Sequence, residues 1–432
     1  MGGCVRDELL GRTSKDVDVE VHGLELDAVE AVLGRFGEVI AVGRAFGVFQ
    51  IKGLPCDFAL PRRDSKVGSG HRGFDVEVDP HLGIEEASAR RDLTINSIAK
   101  DPFTGELLDP WGGQEDLRAG VLRATSAEHF AEDPLRGLRV MQFGARFEMR
   151  PDADLVALCR GLDLSELPGE RLLGEFRKLL LQADRPSIGL EILQETELLR
   201  FFPELGALVD VPQDAEWHPE GDVWVHTLMV VDRAAALRDG GEDDEALMFG
   251  ALCHDLGKPA VTERSRGRIR SPGHDVAGLP PTRRFLERMR APHALIERTC
   301  ALVHKHLEPT LFVKNGAKAR GYRRLARELG EADVSVELLV RVARADHLGR
   351  TTPDALQGVY PDGDEFLARA AELAVEREAP RDVVLGRHLI ERGMQPGPHF
   401  KALLERCREL QDETGSTDAE ELLDRVLEAG EP

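Results

Sequence analysis

The sequence of 432 residues predicts an α+β fold, in which a small β-sheet domain precedes a longer, all-helical part. Runs of β-type residues, such as VDVEV at 17–21 and CDFAL at 56–60, are concentrated in residues 1–124. Beyond residue 124 the apolar residues recur with helical spacing, as in RLLGEFRKLLLQ at 171–182. The chain is longer than one typical domain, so we expect about two to four folded units.

Composition narrows the class of protein. The 56 Lys and Arg residues against 78 Asp and Glu residues give a net charge of −22, which argues against nonspecific nucleic-acid binding through a basic surface. The six cysteines are scattered without a CxxC pair, as expected for reduced thiols. The sequence contains no signal peptide and no apolar run of membrane-spanning length, so we expect a soluble cytoplasmic protein without membrane contact.

Acidic residues alternate with valines in the first β-type run. In a strand, successive side chains point to opposite faces. One face therefore carries Asp16, Asp18 and Glu20, and the other carries valines that we expect in the core: Val17, Val19 and Val21. The carboxylate face is either a solvated strand surface or a site for hard divalent cations, which bind oxygen ligands. Asp57 lies in another β-type run and would add a third carboxylate if the two strands are neighbours.

Gly2 and Gly3 stand where a tight turn after a strand is expected, although only Met1 precedes them. Either the start codon of this sequence is placed too late, or the domain lacks its first strand. Glycines in such a turn let backbone N–H groups approach a triphosphate, although a plain turn has the same sequence pattern.

A helix is predicted to begin in AEDPLRGLRVMQFGARF at 131–147, with Asp133 as its N-cap and Pro134 at the first helical position. Three arginines share one sector of this helix: Arg136, Arg139 and Arg146. Together with Arg90 and Arg91, they would suit the neutralisation of phosphates by bidentate contacts. Taken singly, such arginines are equally typical of a solvated helix face.

Five segments in this order resemble the head-and-neck motifs of class II tRNA nucleotidyltransferases and bacterial poly(A) polymerases: GGCVRDELLG…KDVDVEV (2–21), RRDLTINSIA (90–99), LLDPWGGQEDL (107–117), EDPLRGLRVMQFGARF (132–147) and ELPGERLLGEFRKLLL (166–181). The resemblance implies a nucleotidyltransferase head in which Asp16 and Asp18 bind Mg²⁺ and Asp57 is the third catalytic carboxylate. It also implies a set of nucleotide-binding residues: Gly2, Gly3, Arg6, Asp7, Arg90, Arg91, Asn96, Asp133, Arg136 and Arg139.

Within that set the resemblance assigns the choice of base to Asp133 and Arg136, whose side chains would pair with the Watson–Crick edge of CTP or ATP. Arginine offers donors and aspartate offers acceptors, so a small movement of either side chain would distinguish C from A. Arg139 would assist in the same pocket. A role of Asp133 as the helix cap alone is the competing interpretation.

Further along the chain, five segments contain histidine, and three of them also contain aspartate: WVHTLM (224–229), LCHDLGK (252–258), SPGHDVAG (271–278), LVHKHLEP (302–309) and VARADHLGR (342–350). Imidazole and carboxylate groups together suit a transition metal or Mg²⁺, whereas a lone histidine on a helix is usually structural. The pattern resembles the HD phosphohydrolase superfamily, which implies four metal ligands: His226, His254, Asp255 and Asp346. The alternative is a degenerate HD domain that serves as a scaffold.

The same resemblance extends to residues beside these four. His274 and His306 match additional histidines of two-metal members, and His304 is a weaker candidate for the second of these positions. Lys258 would contact phosphate. The implied cofactors are Mg²⁺ in the head and a divalent metal in the HD domain, with Ni²⁺, Co²⁺ and Mn²⁺ as candidates.

An HD domain behind such a head, together with FGVF (46–49), SGHRGF (69–74) and WHPEGDVWVHTLM (217–229), is similar to the bacterial multifunctional CCA-adding enzymes. The resemblance implies four parts: a nucleotidyltransferase head (1–124), a helical neck with the nucleotide-selecting motif (125–209), an HD phosphohydrolase domain (210–350) and a helical C-terminal tail (351–432).

The function implied by the resemblance is template-independent addition of CCA to tRNA 3′ ends from CTP and ATP. The HD domain would hydrolyse phosphate esters such as 2′,3′-cyclic phosphates. The alternatives are a bacterial poly(A) polymerase, an enzyme that adds only CC or only A, and an RNA-binding scaffold with inactive sites.

Two segments are candidates for contact with the acceptor arm of tRNA, the expected partner. They are TRRFLERMR (282–290) and AKARGYRRLARELG (317–330), in which arginine and lysine dominate despite the acidic chain. Duplex RNA is usually held by its shape and phosphates, which such strips would suit. Solvated helix faces explain both segments equally well.

Overall fold

The structure, a computed structural model, describes residues 1–14, 16–43, 47–66 and 74–429. Parts of two motifs, FGVF and SGHRGF, lie outside the described residues. The chain divides into two compact units, Met1–Pro203 and Glu204–Pro432. Within the described ranges, no helix is both long enough and apolar enough to cross a membrane.

The first unit combines short strands with helices. Its strands are β1 (Val17–Glu20), β2 (Val39–Gly43), β3 (Val48–Ile51), β4 (Cys56–Ala59), β5 (Arg62–Lys66), β6 (Phe74–Val78), β7 (Ala99–Lys100), β8 (Leu107–Leu108), β9 (Val121–Leu122) and β10 (Arg150–Pro151). Its helices are α1 (Gly3–Leu9), α2 (Leu26–Leu33), α3 (Ile84–Ala89), α4 (Gly113–Ala119), α5 (Ala127–Phe130), α6 (Leu135–Phe147), α7 (Ala153–Arg160), α8 (Gly169–Gln182) and α9 (Pro186–Glu195), with 3₁₀ turns at Thr94–Asn96 and Leu198–Phe201. A further helix, α10 (Pro203–Gly206), follows.

Four strands form the main sheet, in the order β1–β4–β3–β2. β1 and β4 are parallel, with Asp18 opposite Asp57, and β3 runs antiparallel to β4 with Gln50 opposite Asp57. The core of the sheet contains buried side chains from α2, from β3 and from the residue after β4: Val29, Leu33, Phe49, Ile51 and Leu60. The condition for a shared carboxylate face, that the two strands be neighbours, is therefore met.

The alternation predicted for β1 holds only in part. Val21 packs on the core, but Val17 is 40% exposed, so the prediction that it faces the core is wrong. Val17 begins an edge strand of the sheet. Glu20, by contrast, is buried beside His22 at 3.1 Å and Arg90 at 4.0 Å. Burial by itself raises the pKa of Glu20, but the hydrogen bond from His22 and the neighbouring arginine charges outweigh burial and lower it.

Helix α6 packs closely against α8 and α9 and is buried along most of its length. Gly189 of α9 permits this approach. A Cβ built on Gly189 would lie 2.7 Å from the Met141 carbonyl oxygen and 3.3 Å from the Ala145 Cβ. A backbone oxygen cannot rotate away as a flexible side chain would, so the contact excludes every larger residue.

We predict that Gly189→Ala destabilises the protein by about 1–3 kcal/mol, because the added methyl group forces α6 and α9 apart. Gly174→Ala in α8 is the matched control. A Cβ at Gly174 meets no atom within 4 Å, and alanine is the better helix former. Denaturant unfolding of both full-length variants measures the difference, and equal midpoints would contradict the packing argument.

The second unit is mainly helical. Its helices are α11 (Val223–Ala236), α12 (Asp244–Cys253), α13 (Lys258–Val261), α14 (His274–Ala277), α15 (Leu279–Arg288), α16 (His293–Lys305), α17 (Glu308–Lys314), α18 (Ala319–Gly330), α19 (Val336–Leu348), α20 (Pro353–Leu356), α21 (Pro361–Glu372), α22 (Gly386–Glu391), α23 (His399–Thr414) and α24 (Ala419–Glu428). An antiparallel hairpin of β11 (Glu263–Ser265) and β12 (Arg268–Arg270), which the sequence did not predict, lies among them. The predicted fold class, a β-sheet head followed by helices, is confirmed.

Helix α12 is the central helix of this unit and packs against α11, α16 and α19. Its residues from Ala246 to Cys253 are all buried, as expected for a helix that is apolar on every side. The apolar run ends at His254 and Asp255, which are also buried. The centre of the unit thus contains two adjacent polar residues at the end of an apolar helix.

The last three helices have a hydrophobic core of their own. It is formed by buried side chains from residues 384–426: Val384, Leu389, Leu403, Cys407, Leu422, Leu423 and Val426. Helix α23 also packs against α18. At this contact Arg327 donates hydrogen bonds to Asp382 at 2.6 Å and to Asp412 at 2.9 Å.

Candidate active sites

Two of the three carboxylates predicted for the head lie opposite each other on the main sheet, and the third immediately precedes it. Asp18 is half-buried in β1 opposite Asp57 of β4, and Asp16, immediately before β1, is exposed. Gln50 donates a hydrogen bond to Asp57 Oδ1 at 2.6 Å, which orients that carboxylate. The three are not among the groups of described residues whose ligand atoms all lie within 4.8 Å of one another. Their donor set consists of oxygen only, which fits a hard cation such as Mg²⁺.

Gly2 and Gly3 lie at the start of α1, beside the arginines that follow α3. Gly2 has a φ of +75° and donates its N–H to a backbone carbonyl at 2.8 Å. A Cβ on Gly2 would lie 2.8 Å from a guanidinium nitrogen of Arg91. The backbone conformation therefore favours glycine, whereas the approach to Arg91 alone would only require that flexible side chain to shift. Arg90, in contrast, is directed toward the buried Glu20.

Four of the predicted nucleotide-binding residues meet in one buried hydrogen-bond network. Arg6 donates to Asn96 Oδ1 and, at 2.9 and 2.7 Å, to Asp7 Oδ1. Asn96 donates in turn to Asp92 Oδ1 at 2.9 Å, and Arg139 Nε donates to Asp92 Oδ2 at 2.5 Å. Asp92 was not predicted, although it directly follows the two arginines of RRDLTIN.

The charge of Asp92 holds this network in place. Burial by itself raises the pKa of Asp92, but the positive charge of Arg139 and the hydrogen bonds from Asn96 and Arg139 outweigh burial and lower the pKa. Asp92 is therefore ionised at neutral pH. Its two oxygens fix the orientation of Arg139 on one side and of Asn96 on the other.

Asp133 lies just before α6 and bonds two partners. Its Oδ1 accepts the N–H of Leu135 at 3.1 Å, and its Oδ2 accepts a hydrogen bond from Arg171 at 2.8 Å. The predicted N-cap is wrong by one residue, because α6 begins at Leu135 and its N-cap is Pro134. Asp133 nevertheless bonds the first turn of the helix. Arg171, which belongs to the motif at 166–181, was not predicted as its partner.

Arg136 is anchored by two backbone carbonyls and not by a carboxylate. It donates to the carbonyl of His129 and, at 2.6 Å, to the carbonyl of Arg90. The second bond connects the start of α6 to the arginines that follow α3. Asp133 and Arg136 are thus neighbours in the chain whose side chains have separate partners.

Helix α6 also presents two aromatic rings to the network. The rings of Phe143 and Phe147 are stacked, with centroids 5.8 Å apart and planes 14° apart. The guanidinium of Arg6 lies 4.5 Å from the centre of the Phe147 ring, and that of Arg139 lies 5.0 Å from the centre of the Phe143 ring. Such cation–π contacts stabilise both arginines. The spacing of the two rings by four residues was the sequence signal for this feature.

The His/Asp motifs of the second unit converge in its interior. His226 of α11, His254 and Asp255 after α12, and Asp346 of α19 are all buried. His226 Nε2 lies 3.1 Å from Asp346 Oδ1 and 3.9 Å from Asp255 Oδ2. His254 Nε2 lies 3.1 Å from Asp255 Oδ2. The structure thus brings all four residues into one cluster.

His274 and His306 extend the cluster on one side. His274 Nε2 lies 3.3 Å from His306 Nε2 and 3.4 Å from Asp255 Oδ1. These three residues form one group with ligand atoms within 4.8 Å of one another, and His226, His254 and Asp346 form another. His304 belongs to neither group. Burial, together with the neighbouring histidines, lowers the pKa of His306 to about 3, so its ring is neutral.

Three histidines of the cluster share one hydrogen-bond pattern, in which Nδ1 bonds a backbone carbonyl: His254 that of Ala251 at 2.8 Å, His274 that of Ser271 at 2.8 Å, and His306 that of Val303 at 2.7 Å. Carbonyl oxygens only accept, so each of these Nδ1 atoms carries the proton. A neutral ring then has its lone pair on Nε2, which is directed into the cluster, and this is the arrangement that metal-binding histidines adopt. His226 differs, because its Nδ1 lies 2.8 Å from Glu220 Oε1 without a hydrogen bond of acceptable geometry, and its Nε2 is hydrogen-bonded with Asp346 Oδ1 at 3.1 Å.

Buried polar atoms without a hydrogen-bond partner are a second feature of the cluster that fits a metal site. His254 Nε2 and both oxygens of Asp255 are buried but have no hydrogen bond of acceptable geometry among the described residues. Buried polar atoms are almost always hydrogen-bonded, so atoms of this kind indicate a ligand site. Burial by itself raises the pKa of Asp255, but the charges of His254 and Lys258 outweigh burial and hold the pKa well below its usual range.

Three residues beside the cluster were not predicted: His218, Glu220 and Arg350. Burial by itself raises the pKa of Glu220, but the hydrogen bond that it accepts from His218 at 2.9 Å and the neighbouring His226 ring, whose Nδ1 lies 2.8 Å away, outweigh burial and lower the pKa. Arg350 lies 3.1 Å from Asp346 Oδ2. The segment WHPEGD before α11 was the sequence signal for Glu220, because it combines an acid and a histidine close to the first motif.

An open cleft of about 790 Å³ leads to the cluster. Asp255, His274, His306 and Asp346 line it together with Lys258, which was predicted to contact phosphate. Lys258 Nζ lies 2.7 Å from Asp255 Oδ2 and donates to Gln213 at 2.7 Å. The cleft therefore gives a ligand access to the histidines, the carboxylates and one ammonium group at the same time.

Some arginines of the two basic segments are paired with acids of the same unit. Arg283 donates two hydrogen bonds to Glu297, at 2.6 and 3.2 Å, and Arg288 donates to Glu204 at 2.7 Å. Arg327 is paired in the contact between α18 and α23. Other side chains of these segments are exposed, Arg284 by 62% and Arg324 by 72%, so contact with RNA and a solvated face both stay predictions.

Family models match three parts of the chain. The poly A polymerase head domain matches residues 1–123, the probable RNA and SrmB- binding site of polymerase A matches 158–208, and the HD domain matches 223–350. The chain is thus a nucleotidyltransferase of the poly(A) polymerase type with an HD domain behind its head and neck.

Curated relatives narrow this class further. The multifunctional CCA protein of Pasteurella multocida is 36% identical over 387 residues, covering 87% of this chain and 89% of the relative. That of Halorhodospira halophila is 36% identical over 419 residues, covering 94% and 95%. That of Chromobacterium violaceum is 41% identical over 298 residues, covering 68% and 70%. This chain belongs to the multifunctional CCA protein family.

Solved structures of CCA-adding enzymes have the same fold. The complex of one such enzyme with CTP is 20% identical, with a TM-score of 0.62 and coverage of 100% of this chain and 90% of that one. The Thermotoga maritima CCA-adding enzyme complexed with tRNA_CCA is 19% identical, with a TM-score of 0.60 and the same coverage. These structures therefore agree with the predicted fold class, a β-sheet head followed by helices.

Proposed function

We propose that this protein adds C, C and A in turn to tRNA 3′ ends from CTP and ATP, without a nucleic-acid template. The observation that carries this proposal is the buried network around Asp92, which groups nucleotide-binding side chains in the unit that also contains Asp18 opposite Asp57. Membership of the multifunctional CCA protein family supports the same activity. CTP, ATP and tRNA, which are bound in the solved CCA-adding enzymes, are the expected partners. The tRNA substrate and the free thiols fit action in the cytoplasm.

In the head, Asp16, Asp18 and Asp57 would hold Mg²⁺, whose preference for oxygen ligands their carboxylates meet. When bound, two such ions activate the attacking hydroxyl and stabilise the leaving oxygen of an in-line displacement at the α-phosphate. Gln50 keeps the carboxylate of Asp57 in one orientation. Arg91, beside the start of α1, supplies positive charge for the triphosphate.

We predict that Asp18→Asn lowers the rate of nucleotide addition by at least about 1,000-fold, because a lost ligand oxygen removes several kcal/mol of transition-state stabilisation. Asp16→Asn should have the same effect. The substitution Asp154→Asn, at an exposed carboxylate in the first turn of α7, is the control and should retain the wild-type rate. The assay is extension of a tRNA that ends at its discriminator base. Full extension by either head variant would refute the metal assignment.

Base selection is assigned to Asp133 and Arg136, with Arg139 in the same pocket. Arg136 uses part of its five-donor guanidinium on two backbone carbonyls and retains donors for acceptors on a base. Asp133 retains lone pairs beyond those that bond Leu135 and Arg171. Both side chains are oriented before the nucleotide arrives, so selection costs little reorganisation.

We predict that Asp133→Ala and Arg136→Ala raise misincorporation of UTP and GTP by about 5- to 100-fold, since each base-edge contact carries about 1–3 kcal/mol of discrimination. Arg160→Ala, at an exposed arginine in the last turn of α7 of the same unit, is the control and should leave fidelity unchanged. The measurement is the ratio of kcat/KM for correct and incorrect nucleotides. Unchanged fidelity with a lower melting temperature would mean that Asp133 is only a helix cap.

We also propose that the HD domain hydrolyses phosphate esters, such as the 2′,3′-cyclic phosphates of damaged RNA 3′ ends. The residues that would hold a divalent metal are His226, His254, Asp255 and Asp346, with His274 and His306 as further ligands. Their nitrogen and oxygen atoms suit Ni²⁺, Co²⁺ or Mn²⁺, and such an ion activates water and polarises a phosphate oxygen when bound. Glu220 places a negative charge 2.8 Å from His226 Nδ1, and Lys258 offers its ammonium group to the phosphate.

We predict that His254→Ala and Asp255→Ala abolish phosphate-ester hydrolysis but retain CCA addition in Mg²⁺, because the two reactions use different residues. His304→Ala is the matched control, since this histidine belongs to neither ligand group and should retain both activities. Addition of Ni²⁺ to the wild-type protein should raise hydrolysis of 2′,3′-cyclic nucleotides without raising nucleotide addition. Absence of hydrolysis across a panel of metals would reduce the HD domain to a scaffold.

A further inference from the structure

An exposed indole lies in the wall of the HD cleft. Trp217 is 49% exposed and lines the cleft that also contains Asp255 and His306. The next residue, His218, is fixed in the interior by its bond to Glu220 at 2.9 Å. Trp217 thus directly precedes a residue bonded to Glu220, and its ring lines the same cleft as Asp255 and His306.

The turn that carries Trp217 is held at several points. The N–H groups of Trp217 and His218 both donate to the carbonyl of Asp214, at 3.0 and 2.8 Å. Glu216 accepts a hydrogen bond from Arg268 of the β11–β12 hairpin at 2.8 Å. The ring thus projects from an ordered turn, which lowers the entropy cost of using it as a binding surface.

A cation accompanies this ring. Lys314, at the end of α17, has its Nζ 5.8 Å from the centre of the Trp217 ring, and Asp362 lies 4.0 Å from that Nζ. The lysine side chain is 58% exposed and has a flexible stem, so a planar ligand can displace it from the ring at little cost. Lys258 and Arg350 add positive charge to the lining of the same cleft.

We propose that the HD cleft recognises its substrate as a nucleotide, by stacking of the terminal base on Trp217 while Lys314 contacts a phosphate. This inference rests on the proposed hydrolysis by the HD site. The cleft volume of about 790 Å³ is that of a site for a whole small molecule, since ligand pockets measure about 300–1,000 Å³. An aromatic face next to a cation suits a ligand that contains both a base and a phosphate.

Stacking on Trp217 would also explain tolerance of different 3′ ends. Every base has a π-face, so stacking energy depends only weakly on base identity, in contrast with hydrogen-bond readout. A site that repairs RNA ends must accept whichever base the damaged end carries. The HD cleft would thus bind nucleotides with little preference for one base over another, whereas Asp133 and Arg136 in the head are proposed to distinguish bases.

The test compares two secondary phosphomonoesters that differ in the base, adenosine 2′-monophosphate and glycerol 2-phosphate. In Trp217→Ala we expect KM for the nucleotide to rise about 5- to 100-fold, the loss typical of one stacked base, with kcat nearly unchanged. Hydrolysis of glycerol 2-phosphate should stay within about twofold of wild type, and Trp217→Phe should restore most of the nucleotide affinity. Phe103→Ala, at an exposed ring of the first unit, is the control and should change neither substrate.

Equal losses on both substrates, or no change on the nucleotide, would overturn the stacking assignment. A binding measurement separates this outcome from failure of the proposed hydrolysis. Adenosine 2′-monophosphate should quench tryptophan fluorescence of the wild-type protein, and Trp217→Phe should lack that component. Should the wild type hydrolyse neither ester, the proposed hydrolysis fails, while the presence or absence of this quench still decides whether the base stacks on Trp217.

Discussion

The buried ion pair between Asp92 and Arg139 is the interaction on which the first unit depends. Asp92 accepts hydrogen bonds from Arg139 of α6 and, at 2.8 and 2.9 Å, from the N–H of Leu93 and the side chain of Asn96. It therefore joins the sheet-bearing part of the unit to its helical part. Asp92 is buried and Arg139 half-buried, so loss of the arginine would leave a buried carboxylate without its main opposite charge and destabilise the unit. Arg6, bonded to Asn96, is placed by the same carboxylate.

The second unit also buries charged and polar side chains, and it compensates their loss of hydration with a different set of partners. Helix α12 is apolar on every side, and this apolar helix ends at two buried polar residues, His254 and Asp255. Removal of such groups from water is costly unless opposite charges or hydrogen bonds compensate. Lys258 and Arg350 supply positive charge, while backbone carbonyls accept the Nδ1 protons. The remaining nitrogen and oxygen atoms form two groups whose members lie within 4.8 Å of one another, an arrangement that could hold a metal ion.

Residues whose chemistry is visible in their own stretch of chain were predictable. The alternation of Asp16 and Asp18 with valines, and the adjacent His254 and Asp255, indicated carboxylate and His/Asp sites before any contact was known. Partners were harder to predict, because they depend on the packing of distant segments. Asp92 meets Arg139 across 47 residues of chain, and no local pattern distinguishes that acid from a solvated one.

Burial was misjudged for the same reason. Val17 was expected in the core but is exposed, because it lies on the edge strand of the sheet. The side chain of Glu20 is buried beside Arg90, although its face of the strand was expected to carry solvated or metal-binding carboxylates. The acids that pair with Arg283, Arg288 and Arg327 lie elsewhere in the chain, so these ion pairs could not be predicted from the basic segments alone. A one-dimensional pattern reports the face on which a side chain lies, whereas its neighbours follow from the fold.

The separate core of the last three helices has a consequence for how the chain can change over time. The apolar side chains of that cluster come from residues 383–427, and none comes from the residues matched by the HD domain, 223–350. Its contact with α18 includes the ion pairs of Arg327 with Asp382 and Asp412. A module that is closed in this way can be resized, exchanged or lost by recombination, while the residues that carry out the chemistry keep their positions.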